Sequence, residues 1–155
     1  MILLDVSTCL AGFWPAHVFH EPTRSWLNDA SDDSLGLCRV VHLGWLRLLT
    51  NSAVLGEDVL TRAEAWNFVA SVLTDARFGW IDETDTVDDR FAQLAAIPDR
   101  SHKLWTDDYL ASVALAGGHS FATLDTKITK RYPQLEVINP AEVTVTPPPA
   151  SPPAR

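Results

Sequence analysis

Apolar residues fall along this chain in short runs and in helical spacing, separated by polar turns. Ile2 to Leu4 form a compact apolar run ending at Asp5, which predicts a buried first strand. Val6 to Phe13 predicts a short helix stopped by Pro15, and Glu21 to Ala30 a second helix with Pro22 in its first turn. A polar turn over Ser31 to Ser34 leads to a second strand at Leu35 to Cys38. Val40 to Thr50 is apolar almost all round, as a core-facing helix would be. Leu60 to Ala76 places Ala63, Trp66, Val69 and Leu73 at helical spacing, and Thr61 with Glu64 predicts a capping box at its start. Arg77 to Ile81 predicts a third strand and Asp85 to Ile97 another helix. A helix capped by Thr106 runs through Ala116 to a Gly117-Gly118 stop. Ser120 to Leu124 and Leu135 to Asn139 complete five strands. Alternating strands and helices of this kind predict an α/β domain with a mainly parallel central sheet.

The pattern stops near Asn139. Residues 1–139 read as one domain, and residues 140–155 as a proline-rich tail that cannot bury a core. A chain of 155 residues with 46% hydrophobic content, six Trp and six Phe has the material for a single sizeable core.

Charge narrows the function classes. Twelve Lys and Arg against 20 Asp and Glu give a formal charge of -8, which argues against a protein that coats nucleic acid through a basic face. An enzyme that meets phosphates through a bound metal is compatible with that balance, because the ion supplies the local positive charge. Cys9 and Cys38 form no CxxC pair, so they read as buried free thiols of a cytoplasmic protein. The N-terminal stretch lacks a basic region before its apolar run, so no signal peptide is expected, and no run is long enough to span a membrane.

Three aspartates stand out by position. Asp5 ends the first strand, Asp125 ends the fourth, and Asp107 opens the helix that leads into that fourth strand. In a parallel sheet these places share one edge, where ligands gather beyond the carboxyl ends of the strands. Converging carboxylates repel one another unless a cation sits between them. Oxygen ligands without His or Cys suit Mg²⁺ or Mn²⁺. Two of the three also have a local explanation: Asp107, like Asp108, suits the helix dipole and Asp125 suits a turn, whereas Asp5 in an apolar N-terminal run is harder to dismiss.

The residues carry a resemblance as well. "MILLDVSTCLAG", "KLWTDDYLASVAL" and "SFATLDTKI", with the segment around Arg47 and Thr50-Asn51, resemble the PIN-domain family, specifically VapC-type ribonuclease toxins of type II toxin–antitoxin systems. The likeness runs from Met1 to about Pro140. It implies a PIN-like three-layer fold of about five strands, with Asp5, Asp107 and Asp125 as metal-holding catalytic acids. It also implies a Mg²⁺-dependent endoribonuclease that cuts structured RNA, tRNA or rRNA, by water attack on a phosphodiester. A homodimer and a cognate antitoxin that reaches the acidic site belong to the same expectation.

Two positions depart from the family pattern. Ser7 stands where many members have Asn, and is expected to support the carboxylates with a single hydroxyl. His42 and Gly44 occupy the stretch where many members supply a Glu, so no fourth acid is assigned. His42 itself reads as a core or interface histidine, and His17 and His20 as surface histidines. Asp108 is expected to be a solvated acid of the first turn. Arg47, Lys127, Lys130 and Arg131 are candidates for RNA phosphates, with Arg47 equally suited to orienting a carboxylate. The alternative reading is a catalytically weakened PIN-like domain that binds RNA or protein. A receiver domain or a haloacid-dehalogenase-type phosphatase fits less well, since the latter needs D-x-D where this chain has Asp5-Val6-Ser7.

Overall fold

The computed structural model describes residues 1–142; the tail beyond, part of the expected 140–155 stretch, lies outside the described residues. The elements run β1 (Ile2–Leu4), α1 (Val6–Phe13), α2 (His20–Asn28), β2 (Leu35–Leu37), α3 (Arg39–Leu49), α4 (Ser52–Leu55), a 3₁₀ turn (Gly56–Asp58), α5 (Arg62–Val72), β3 (Phe78–Trp80), α6 (Val87–Ala95), α7 (Trp105–Gly117), β4 (Ser120–Ala122), α8 (Ile128–Arg131) and β5 (Val137–Ile138). The five strands form one parallel sheet in the order β3-β2-β1-β4-β5, flanked by helices.

Register explains how the sheet presents its ends. Ile2 pairs with Leu35 and Ser120, Leu4 with Ala122, and Leu37 with Trp80. Asp5, Cys38, Ile81 and Thr123 therefore follow directly on the last residues of four strands and emerge on one edge. β1 and β4 are continued one step further, by the Asp5 N–H donating to Ala122 O at 2.8 Å.

Both faces of the sheet are covered by helices, and the strand residues are apolar accordingly. Leu3, Leu4, Leu35, Leu37 and Phe121 are almost wholly buried, joined from the helices by Val41, Trp45, Val69, Leu110 and Val113. Each such side chain contributes about 1.5–3 kcal/mol by leaving water. Phe13 of α1 ties two helices together, its ring centroid 5.2 Å from Trp45 and 5.8 Å from Phe68.

The capping box at Thr61 forms as expected: Thr61 N–H donates to Glu64 at 2.8 Å, and Glu64 N–H donates back to Thr61 Oγ1 at 3.3 Å. α7 departs from expectation at its start. It begins at Trp105 with Leu104 as the cap residue, and Thr106 makes no capping bond. The Asp108 N–H already donates to Leu104 O at 2.9 Å, while Trp105 packs edge-on against Phe91 of α6. The helix thus starts two residues before the local cap signal, with that contact at its first residue. At the other end Gly118 takes φ 65°, the left-handed cap, and the His119 N–H reaches back to Ala114 O at 2.8 Å.

Candidate active site

Asp5 is the most heavily supported of the three acids. Its Oδ1 accepts the Val6 N–H at 2.7 Å, as the N-cap of α1. Its Oδ2 accepts the Ser7 hydroxyl at 2.7 Å and the Thr123 hydroxyl at 2.7 Å. Each hydroxyl in turn receives a backbone N–H from the end of β4: Leu124 N–H donates to Ser7 Oγ at 3.3 Å, and Asp125 N–H donates to Thr123 Oγ1 at 3.1 Å. Two short chains of hydrogen bonds thus run from the β4 loop into one carboxylate. A carboxylate offers about four lone-pair positions. Three are in use, which leaves Asp5 one free position, on Oδ1.

Thr123 was not singled out from sequence as a functional residue, although its signal was there. A threonine at a buried strand end, two positions before an acid, is the residue type that can hand a hydrogen bond sideways to the neighbouring strand. Ser7 holds the supporting place that its position suggested.

Asp107 is half-buried on the first turn of α7. Its pKa is raised above the ordinary carboxylate value, first by burial, then by the charges of Asp5, Asp125 and Asp108, with Arg131 partly offsetting them. That coupling places Asp5, Asp107 and Asp125 in one electrostatic neighbourhood. Among the described residues the Asp107 carboxylate accepts no hydrogen bond, so its oxygens are available. Asp125 is exposed, and its Oδ1 accepts the Lys127 N–H at 2.9 Å, closing the turn that starts α8.

The three acids do not form a ready-made cage. Among the described residues no three His, Cys, Asp or Glu side chains stand close enough together to hold a metal ion between them. The donor set nonetheless fits Mg²⁺, which is usually bound through one or two carboxylates and keeps several waters. One free position on Asp5, an unbonded Asp107 and mutual repulsion at Asp107 are what such an ion would use.

Asp108 corrects the sequence expectation. It is 4% exposed rather than solvated. It accepts the Tyr132 hydroxyl at 2.5 Å and pairs with Arg131 at 3.2 Å. The helix turn that aims Asp107 at the sheet edge aims Asp108 into the core, where donors more than 20 residues downstream meet it. Burial and the adjacent carboxylate push the Tyr132 phenol above its ordinary value. Arg131 is therefore committed to a structural pair, which removes it from the free RNA-facing cations. The pair fastens α8, which follows Asp125, to the first turn of α7, which carries Asp107.

The remaining candidates separate. Lys127 and Lys130 are exposed on and beside α8, next to Asp125. Arg47 lies in the last turn of α3, lining a cleft against α5, and makes no ion pair among the described residues. It orients none of the three acids. His42 stacks between Trp66 and Trp80, with ring centroids 5.7 and 5.3 Å away, and burial followed by Arg39 lowers its pKa. His17 and His20 are engaged locally: His17 Nδ1 accepts the Phe19 N–H at 3.1 Å, and His20 Nδ1 lies 2.8 Å from Ala11 O. Gly44 faces Val6, the residue after Asp5, and a Cβ on Gly44 would come 2.7 Å from Val6 Cγ2. Glycine has no side chain to offer the site, and the close approach of Val6 leaves little room for one at this position.

No protein-family model matches the chain. The chain is 36% identical over 135 residues to ribonuclease VapC41 of Mycobacterium tuberculosis, covering 84% of this chain and 92% of that one. It is 28% identical to ribonuclease VapC29 of the same organism over 140 residues, 90% of this chain and 96% of the relative. Among solved structures, the FitAB complex bound to the IR36 DNA fragment matches with TM-score 0.66 and 19% identity, over 92% of this chain and 97% of that one. VapBC2 from Rickettsia felis bound to promoter DNA matches with TM-score 0.61 and 16% identity, over 90% and 98%. The two structural matches bear on the fold alone, while the identity to VapC41 carries the family. The chain belongs to the VapC ribonucleases, of the PIN-domain family.

Proposed function

We propose that this protein is a Mg²⁺-dependent endoribonuclease toxin, acting on structured RNA such as tRNA or rRNA, and neutralised by a cognate antitoxin. Mn²⁺ would substitute for Mg²⁺, and the working form would be a homodimer. What supports this reading is the placing of Asp5 and Asp125 after neighbouring parallel strands and of Asp107 on the first turn of the helix between them, in a chain of the VapC family.

In this reading Asp5 and Asp107 hold the ion, with Asp125 completing the site. Bound Mg²⁺ would neutralise the clustered carboxylates and polarise the scissile phosphodiester. The chain's own residues do the rest. Ser7 and Thr123 fix the Asp5 carboxylate in one orientation. Asp107, half-buried on the first turn of α7, would turn its carboxylate to the ion and its waters. Lys127 and Lys130, exposed beside Asp125, would offer positive charge to RNA phosphates.

The competing reading is a domain that binds RNA or protein without cutting it. It draws on His42 and Gly44 standing where many members supply a Glu, and on Ser7 standing where many have Asn. The two separate in one assay. Antitoxin-free protein is incubated with total tRNA and rRNA in Mg²⁺, Mn²⁺ or EDTA, beside Asp5→Asn and Asp107→Asn. Cutting that needs metal and disappears in both variants is the expected result, with 5′-phosphate and 3′-hydroxyl ends. Intact RNA with folded, metal-supplied protein would favour the non-catalytic domain.

A further inference from the structure

Trp105 opens α7 two residues before Asp107, and its side chain is left largely in water, at 57% exposure. The indole is nonetheless held in place. Phe91 of α6 meets it edge-on, with ring centroids 6.3 Å apart, and Tyr109, one turn along α7, meets the same Phe91 at 5.8 Å. The Tyr109 hydroxyl donates to Glu83, which ties that turn to the chain following β3. A flat apolar ring braced in this way gives up little freedom when a second flat group stacks on it.

The connection from α6 to α7 brings cations to the same place. Arg100 and Lys103 are exposed, and neither makes an ion pair among the described residues, where the pairs are Arg77 with Asp75 and Arg131 with Asp108. Asp99 is the one acid between Ala95 and Trp105, and its Oδ1 accepts the Ser101 N–H at 3.0 Å. Asp88 and Asp89 open α6 at its other end, about 10 Å along the axis from Ala95. In a chain of net charge -8, this short stretch is locally basic.

The surface does not compete with pairing of two copies through α3 and α5. In the order β3-β2-β1-β4-β5 the connections β2 to β3 and β3 to β4 run in opposite directions across the sheet. Right-handed crossovers therefore put α3, α4 and α5 on one face and α6 and α7 on the other. The packing agrees, with α3 against α1, α4 and α5, and α6 against α7. A homodimer built on the first face leaves Trp105 open.

We propose that Trp105 is the stacking platform for an unpaired nucleobase of the RNA substrate, next to the phosphodiester that is cut, with Arg100 and Lys103 pairing phosphates beyond it. The inference rests on the RNA-cleaving reading above and adds which part of a structured RNA is held: a loop or bulge rather than a paired stem. Only an unstacked base presents its face to an aromatic ring, and each link of the strand carries a negative charge for the cations beside it. The Cα atoms of Trp105 and Asp107 are about 5.5 Å apart along the helix. A strand crossing the end of α7 thus meets the ring and the acid in succession. An apolar peptide on Trp105 would leave Arg100 and Lys103 uncompensated.

Full-length Asp5→Asn protein, which should leave RNA uncut, is titrated with a fluorescein-labelled RNA hairpin carrying a single-stranded loop, and with a fully paired duplex of the same stem. Anisotropy is read at several KCl concentrations. The hairpin should bind more tightly than the duplex. Adding Trp105→Ala should weaken hairpin binding roughly 5- to 150-fold with little effect on the duplex, and Trp105→Phe should recover most of the loss. Arg100→Ala and Lys103→Ala should each flatten the dependence of log affinity on log salt by about 0.7. Unchanged hairpin affinity in folded Trp105→Ala protein would overturn the subsite and assign the exposed ring to a protein partner. An equal loss on hairpin and duplex would overturn it too, since stacking on an unpaired base cannot act on a paired stem. If Asp5→Asn protein with Trp105 intact binds neither RNA, the RNA-cleaving reading itself fails, and that result is distinct because the starting protein gives no signal.

Discussion

Asp107 and Asp108 are adjacent acids whose removal should change stability in opposite directions. Asp108→Ala deletes a carboxylate that accepts Tyr132 Oη at 2.5 Å and pairs with Arg131 at 3.2 Å. Tyr132 is 2% exposed, so its hydroxyl would be left without a partner in the core. Breaking a buried pair in this way costs roughly 3–5 kcal/mol, with the low end favoured here because Arg131 keeps contact with water. For a chain of this size each kcal/mol moves Tm by about 2–4 °C, so a fall of about 6–20 °C is expected. Asp107→Asn works the other way in metal-free buffer. The folded protein holds the Asp107 proton more tightly than the unfolded chain does, because burial and three carboxylates raise its pKa. That contribution is complete below the ordinary carboxylate range and is lost as pH rises through the raised value; above it, the ionised group opposes folding. The Asn variant should therefore melt higher than the wild type at neutral pH, with the gap closing as pH falls. Differential scanning calorimetry in EDTA at neutral and acid pH measures both effects. A fall of less than about 2 °C for Asp108→Ala would refute the buried network, and a lower Tm for Asp107→Asn at neutral pH would refute the repulsion at the acidic edge.

Three further outcomes follow from the same geometry. Ser7→Ala and Thr123→Val each remove one donor to Asp5 Oδ2, and each should lower metal affinity or cleavage roughly 10- to 100-fold, read from Mg²⁺ titrations of activity. Gly44→Ala puts a Cβ 2.7 Å from Val6 Cγ2 and should cost about 1–3 kcal/mol in urea unfolding, most of it recovered by adding Val6→Ala. Gly118→Ala forces a side chain into φ 65° at the end of α7 and should cost about 1–2 kcal/mol by the same measurement.

Much of this was readable from the sequence because it depends on local rules. Ile2–Leu4 ending at Asp5, and Phe121 and Ala122 ending before Asp125, are apolar runs with a polar stop. Such runs, bounded by polar and turn residues and alternating with helical patterns, read as buried strands with an acid at one end, and the parallel order then brings those ends together. The capping box at Thr61 was equally local. What escaped was set by partners distant in sequence. Asp108 looked like a solvated first-turn acid because Tyr132 and Arg131, which bury it, lie 24 and 23 residues away. The early start of α7 depends on Phe91 in α6. The closeness of Gly44 to Val6 is a tertiary contact with no periodicity to announce it. The short α4 and the 3₁₀ turn after it are too brief to leave a helical repeat.

If Asp5, Asp107 and Asp125 gather a divalent ion, Mn²⁺ binding reads that directly, without depending on the RNA. The full-length protein is titrated with MnCl₂ and free ion is followed by electron paramagnetic resonance. The same titration is run on Asp5→Asn, Asp107→Asn and Asp125→Asn, with Asp99→Asn as a distant surface control. Saturable binding by the wild type and the control, displaced by Mg²⁺ and weakened in the three site variants, is the predicted result. Equal Mn²⁺ affinity in all five proteins, or no saturable binding by the folded wild type, would contradict the account.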